Sequence, residues 1–171
     1  MEKKTYKKKI LNHTLYDVVQ LLDKHVEKWF IAYGTLLGIV RNHSCIDKDD
    51  DVDIVCDRND AEKLKQLFTE YGFTIVINEK NFFQMIKKNY STVDFYCADV
   101  KGDHYTDTWE NLVWKNASMN GKFIKKKWKD IELQLPHQYN TKLQKIYGKT
   151  WRTPIQKYKG TRKTKIKIKV L

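Results

Sequence analysis

The sequence predicts an α+β fold, a sheet flanked by helices, and three stretches carry that prediction. Apolar residues recur at helical spacing through 11–30, carboxylates alternate with aliphatic residues through Asp51-Val52-Asp53-Ile54, and two β-rich runs, 73–77 and 82–86, flank a polar turn. A chain of 171 residues is long enough for one domain with a real core and too short for two comfortable ones.

Taken in order, Leu11, Leu15, Val18, Val19, Leu22, Val26 and Phe30 form the buried face of an amphipathic helix. Residues 31–33 read as a short strand leading into a Gly34-Thr35 turn, with 36–41 as a short helix behind it. Residues 52–56 form a strand, and 59–71 a helix with Leu64, Leu67 and Phe68 inward, capped by Asp57 or Asn59. The runs 73–77 and 82–86 pair as a hairpin around 78–80. A further strand, 92–97, carries Asp94 in its middle. Short strands at 112–114 and 123–124 flank an Asn120-Gly121 turn. A last helix over 140–147 is closed by Gly148, with Pro154 barring continuation. Residues 163–170 alternate Lys with Ile or Val, as an edge strand or a basic tail would.

The chemistry concentrates in Tyr33-Gly34-Thr35-Leu36-Leu37-Gly38, Arg41 and the run from Asp47 to Asp53. A turn opening a helix offers backbone N–H groups to an anion. Carboxylates at i and i+2 of a strand share a face, so Asp51 and Asp53 can hold one divalent cation while Val52 and Ile54 face the core. Asp47, Asp49, Asp50, Asp51 and Asp53 repel one another, and a cation relieves that repulsion. An EF-hand does not explain them: counting from Asp49, position six is Ile54 where that loop needs Gly, and position twelve is Asp60 where it needs Glu. Asp94, alone in the apolar Val93-Asp94-Phe95, is expensive to bury unless paired or metal-bound. It is a third metal ligand or a base toward an attacking hydroxyl. Asp99 and Asp103 are weaker candidates. His13, His25, His43, His104 and His137 lack ligand spacing, and Trp109, Trp114 and Trp128 form a candidate base- or sugar-stacking surface.

The net charge is +12, and its placement is uneven. Residues 1–9 carry +4, 122–129 carry +5 and 156–171 carry +7, leaving the remainder at −4. Basic flanks around an acidic centre suit a polyanionic or phosphorylated partner. Three cysteines, Cys45, Cys56 and Cys97, without CxxC spacing, point to a reduced protein without a zinc knuckle. The start of the chain has no apolar leader segment and no stretch is apolar enough to span a bilayer, so a cytoplasmic location is expected.

The pattern Tyr-Gly-Thr-Leu-Leu-Gly, then Arg41, then Asp-Val-Asp-Ile, resembles the LicD family, which includes fukutin and the fukutin-related protein. The likeness continues through Val93-Asp94-Phe95 into Leu135-Pro136, Leu143, Tyr147-Gly148, Trp151 and Pro154. That resemblance implies a minimal nucleotidyltransferase fold like that of DNA polymerase β, with a mixed sheet flanked by helices. It also implies Mg²⁺- or Mn²⁺-dependent transfer of a phosphorylated group, such as phosphocholine or an alditol phosphate, from a CDP-linked donor to a glycan hydroxyl. The residues that match are Gly34, Thr35 and Arg41 for phosphate, and Asp51, Asp53 and Asp94 for metal and catalysis. Where relatives carry Ile-Pro-Trp, this chain has Ile46-Asp47-Lys48, and Lys48 is an added phosphate contact. The expected organisation is a basic N-terminal arm (1–10), a catalytic domain (11–155) and a basic C-terminal tail (156–171). Two other functions fit the residues: nucleotidyl transfer from the α-phosphate of an NTP, and nucleic-acid binding with a vestigial metal site.

Overall fold

Leucine and valine at helical spacing bury the inner face of the first helix, α1 (Glu2–His25), where Leu11, Leu15, Val18, Val19 and Leu22 are at most 1% exposed. This is seen in a computed structural model of the chain, which describes residues 2–47, 49–155 and 168–171, with side chains from Lys7 onward. Lys48, residues 156–167 and most of the basic C-terminal stretch lie outside the described residues. The helix starts at Glu2, so the lysine-rich stretch expected as a separate arm continues α1. Lysine is a good helix former, and one-sided burial of the following turns propagates the helix backward.

Phe30 is not on that helix. Trp29, Phe30 and Ile31 are all fully buried as β1 (Trp29–Ile31), because an aromatic and β-branched run with cover on both sides packs better as a strand. The expected strand at 31–33 therefore ends early, and Tyr33 opens the next helix, α2 (Tyr33–Asn42). Gly34 and Thr35 lie in the first turn of α2 rather than in a separate turn before it.

β1 pairs antiparallel with β2 (Asp51–Asp57), which runs parallel to β5 (Thr92–Lys101). Between β2 and β5 the chain makes a 3₁₀ turn, Arg58–Asp60, then α3 (Ala61–Glu70), β3 (Thr74–Glu79) and β4 (Phe82–Ile86). The β3–β4 hairpin forms as expected and docks β4 antiparallel on the first half of β5, while β6 (His104–Asp107) pairs with its second half. β7 (Leu112–Trp114) follows β6, and β10 (Lys169–Val170) adds in parallel to β7, making a mixed sheet of eight strands among the described residues. This bears out the α+β reading with a mixed sheet.

The strands at 112–114 and 123–124 do not pair with each other. Ile124 begins β8 (Ile124–Trp128), which pairs with β9 (Ile131–Leu135) as a separate two-stranded sheet. The Asn120-Gly121 turn does form, with positive φ at both residues and both N–H groups bonded to the Asp103 carboxylate. The β8–β9 hairpin covers the outer edge of β1, where the Gln134 amide donates to the carbonyls of Glu27 and Trp29. The last helix, α4 (Tyr139–Tyr147), ends at Gly148, whose φ of 91° suits glycine.

Alternation divides the central sheet into two faces. Val52, Ile54, Val93, Phe95, Phe83 and Met85 point to the covered side, where Phe95 stacks on Phe83 at 4.5 Å and meets Phe68 of α3 edge-on at 5.1 Å. Each such ring removed from water contributes about 1.5–3 kcal/mol. The opposite face carries Asp51, Asp53, Asp94, Gln84, Tyr96 and Phe82, since Asp53 is in register with Asp94, Gln84 with Asp94 and Phe82 with Tyr96. The polar face is where the chemistry gathers.

Candidate active site

Two backbone features bring the carboxylates together. Gly38 lets the chain after α2 fold back closely, for a Cβ there would lie 2.6 Å from the Ser44 carbonyl. His43, in the left-handed region at φ 55°, ends α2 and starts that return. The loop then delivers Asp49 against the first turn of α2. A Cβ on Gly34 would lie 2.2 Å from Asp49 Oδ2 and 3.4 Å from Asp53 Oδ2, so only glycine lets both carboxylates sit there.

Carboxylate oxygens of Asp49, Asp51 and Asp53 lie within 4.8 Å of one another. Asp53 is 4% exposed, and its hydrogen bonds come from neutral donors: Tyr96 Oη at 3.1 Å and the Thr35 N–H at 3.4 Å. In return the Asp53 N–H donates to Thr35 Oγ1 at 2.9 Å, locking the start of α2 onto β2. Burial, and then the charges of Asp51, Asp49 and Asp94, push the Asp53 carboxyl well above the usual carboxylate range. Burial and Asp51 push Asp49 up to about 7. Asp94 is likewise raised to about 7 by burial and by Asp51, and is held down in part by the Gln84 amide, which donates to it at 2.8 Å. Three converging carboxylates, with the charges of Asp49 and Asp53 this costly, fit a hard divalent cation with oxygen ligands.

The structure brings some of the expected site residues together and separates others. Gly34, Thr35, Asp51, Asp53 and Asp94 come together at the start of α2 and β2. The three whose oxygens converge are Asp49, Asp51 and Asp53, with Asp94 beside them on the neighbouring strand rather than among them. Arg41 sits in the last turn of α2, about 10 Å along the helix from Gly34, and donates to the Trp151 carbonyl at 3.2 Å. Lys48 lies outside the described residues. Asp99 pairs with Arg58 at 2.7 Å and Asp103 cups the Asn120-Gly121 turn. Asp49 was legible, being i−2 from Asp51 as Asp51 is from Asp53. Tyr96 and Gln84 were not, since only the register of β2, β5 and β4 places them beside the carboxylates.

The family model described as LicD/FKTN/FKRP, nucleotidyltransferase domain, matches residues 27–155. The chain belongs to the LicD family. The match takes in α2, the carboxylates and the closing segment through Trp151, which is 5% exposed and anchors Arg41. A curated relative, Uncharacterized protein RP689 of Rickettsia prowazekii (strain Madrid E), is 28% identical over 141 residues, covering 81% of this chain and 49% of that protein. This LicD chain thus spans about half the length of the curated relative it matches. The solved lincosamide antibiotic adenylyltransferase LnuA, lincomycin-bound, is similar with a TM-score of 0.60 at 14% identity, over 81% of this chain and 85% of that one. The antibiotic-resistance factor ANT(2'')-Ia gives a TM-score of 0.54 at 12% identity, over 72% and 63%. These likenesses show a nucleotidyltransferase-like fold. Among the described residues no helix is long and apolar enough to cross a membrane.

Proposed function

We propose that this LicD-family chain is a metal-dependent transferase that moves a phosphorylated group from a nucleotide-diphosphate-linked donor to a glycan hydroxyl, on a DNA polymerase β-like core. The observation that carries the reading is the convergence of Asp49, Asp51 and Asp53 on the first turn of α2, beside Gly34. These three residues would hold Mg²⁺, or Mn²⁺ in its place. A bound cation would neutralise the donor diphosphate and stabilise charge on the departing phosphate.

The chain's own groups do the rest. Ala32 supplies no capping side chain to α2, so, with the Thr35 N–H given to Asp53, the positive end of the helix is left to attract the donor oxygens. Tyr96 and Thr35 fix the orientation of Asp53. Asp94, in register with Asp53 on the neighbouring strand, is placed to take the proton of an acceptor hydroxyl. That oxygen then bonds to the distal phosphorus as its bond to the nucleoside monophosphate breaks, and positioning and electrostatics supply most of the acceleration.

A thermal-shift panel of CDP-choline, CDP-ribitol, CDP-glycerol, nucleotide sugars and NTPs, each with and without Mg²⁺, tests the reading. Stabilisation by one diphosphate-linked donor, only with metal and followed by monophosphate release, is expected. Pyrophosphate release from an NTP would instead make the protein a nucleotidyltransferase. Steeply salt-dependent nucleic-acid binding that survives loss of Asp51 and Asp53 would make it a binding module.

A further inference from the structure

Four aromatic rings run in a row from the phosphate-facing turn to the protein surface. Tyr33, the neighbour of Gly34, lies 4.7 Å from Tyr96, Tyr96 lies 5.2 Å from Phe82, and Phe82 stacks on Trp109 at 4.6 Å with planes 13° apart. Phe82 and Tyr96 are 4% and 5% exposed, whereas Trp109 is 38% exposed. Of the three tryptophans singled out in the sequence, Trp114 is fully buried and Trp128 is spent on the His43 carbonyl. Trp109 alone of these offers a ring face, and Phe82 covers its other one.

The indole is also fixed in place. The main-chain N–H groups of Trp109 and Glu110 both donate to Asp107 Oδ1, which holds the backbone that carries the ring, while the other oxygen of this fully buried carboxylate accepts the Tyr33 hydroxyl. One anchor thus ties the surface ring to the residue beside the phosphate turn. Such a preordered aromatic face loses little entropy on binding.

We propose that the outer face of Trp109 is the stacking platform for the nucleobase of the donor. This rests on the donor reading above, and assigns it a residue. The row spans three ring-to-ring steps, at most on the order of 15 Å, the reach of a nucleoside diphosphate with its base at one end and its phosphates at the carboxylates. Charge argues for the base over a phosphorylated glycan, since Glu110 and Asp107 in the same turn repel a polyanion while leaving a neutral ring unaffected. Every base has a π face, so the platform supplies affinity without by itself choosing among nucleotides.

The test is titration of wild type, Trp109→Ala and Trp109→Phe with CDP, UDP, ADP and inorganic pyrophosphate in Mg²⁺, with melting temperatures confirming the fold. Trp109→Ala weakens all three nucleotides by about tenfold or more and leaves pyrophosphate unchanged, and Trp109→Phe restores most of the loss. Nucleotide affinity unchanged in Trp109→Ala, or pyrophosphate weakened equally, overturns the platform. If the wild type binds pyrophosphate but no nucleotide, the platform falls and the metal site stands. If it binds neither, the donor reading falls with it.

Discussion

Gly34→Ala separates the stability of this protein from its chemistry. Gly34 has no left-handed φ, so alanine fits the backbone of the first turn of α2 and should gain about 0.4–1 kcal/mol by restricting the unfolded chain. The added Cβ would nevertheless lie 2.2 Å from Asp49 Oδ2 and 3.2 Å from its Cγ. A carboxylate is the mobile end of its side chain, so Asp49 swings away at little cost, by about 1 Å or more to reach van der Waals separation. Cation–oxygen bonds of about 2.0–2.6 Å do not survive a shift of that size. The variant should therefore melt within about 2–4 °C of wild type while its affinity for Mn²⁺, followed by calorimetry, falls at least tenfold. Wild-type Mn²⁺ affinity in Gly34→Ala would refute the placement of Asp49 at the metal. Collapse of the fold would refute the claim that only the carboxylate must move.

Three further outcomes follow from the same geometry. In metal-free protein, Asp49 and Asp94 at about 7 and Asp107 at about 6 hold protons that the unfolded chain has released. Their contribution to stability is fully present below about pH 4 and is lost as the pH rises through those values, so melting temperatures compared across this range should show the fall without Mg²⁺ and a smaller one with it. Arg41→Ala loses the bond to the Trp151 carbonyl and should cost about 1 kcal/mol, seen as a melting temperature lower by roughly 2–4 °C; an unchanged value contradicts that tie. Gln84→Leu removes the donor that holds Asp94 down, so the acid limb of the pH–rate profile should move to higher pH while the rate at high pH is kept.

The parts of this fold legible in the sequence are those whose information is local. The alternation Asp51-Val52-Asp53-Ile54 gave both a strand and its two faces, because period-two burial needs no partner to be read. The β3–β4 hairpin and the closure of α4 at Gly148 were readable for the same reason. Phe30 misled because its spacing continued the α1 stripe, and only the β8–β9 hairpin, which covers the far edge of β1, makes a strand the better choice. β8 and β9 themselves read poorly, since Lys125, Lys126 and Lys127 hide a hairpin whose buried side includes Trp128 of β8 and Leu133 of β9. At the site, the carboxylates announced themselves by density. Their supports did not: Tyr96 is 43 residues from Asp53 in sequence and Gln84 is 10 from Asp94, and only strand register joins them.

The proposed role of the buried carboxylates of β2 is to serve a cation and a nucleotide-linked donor. Asp53→Asn tests it most directly, with nucleoside monophosphate release from the best-binding donor measured in Mg²⁺ beside the melting temperature of the metal-free protein. The amide keeps the shape of the side chain and removes a carboxyl whose charge is disfavoured by burial and by Asp51, Asp49 and Asp94. No detectable release is expected, with a melting temperature equal to or above that of wild type. Release at the wild-type rate from the Asn variant would contradict it.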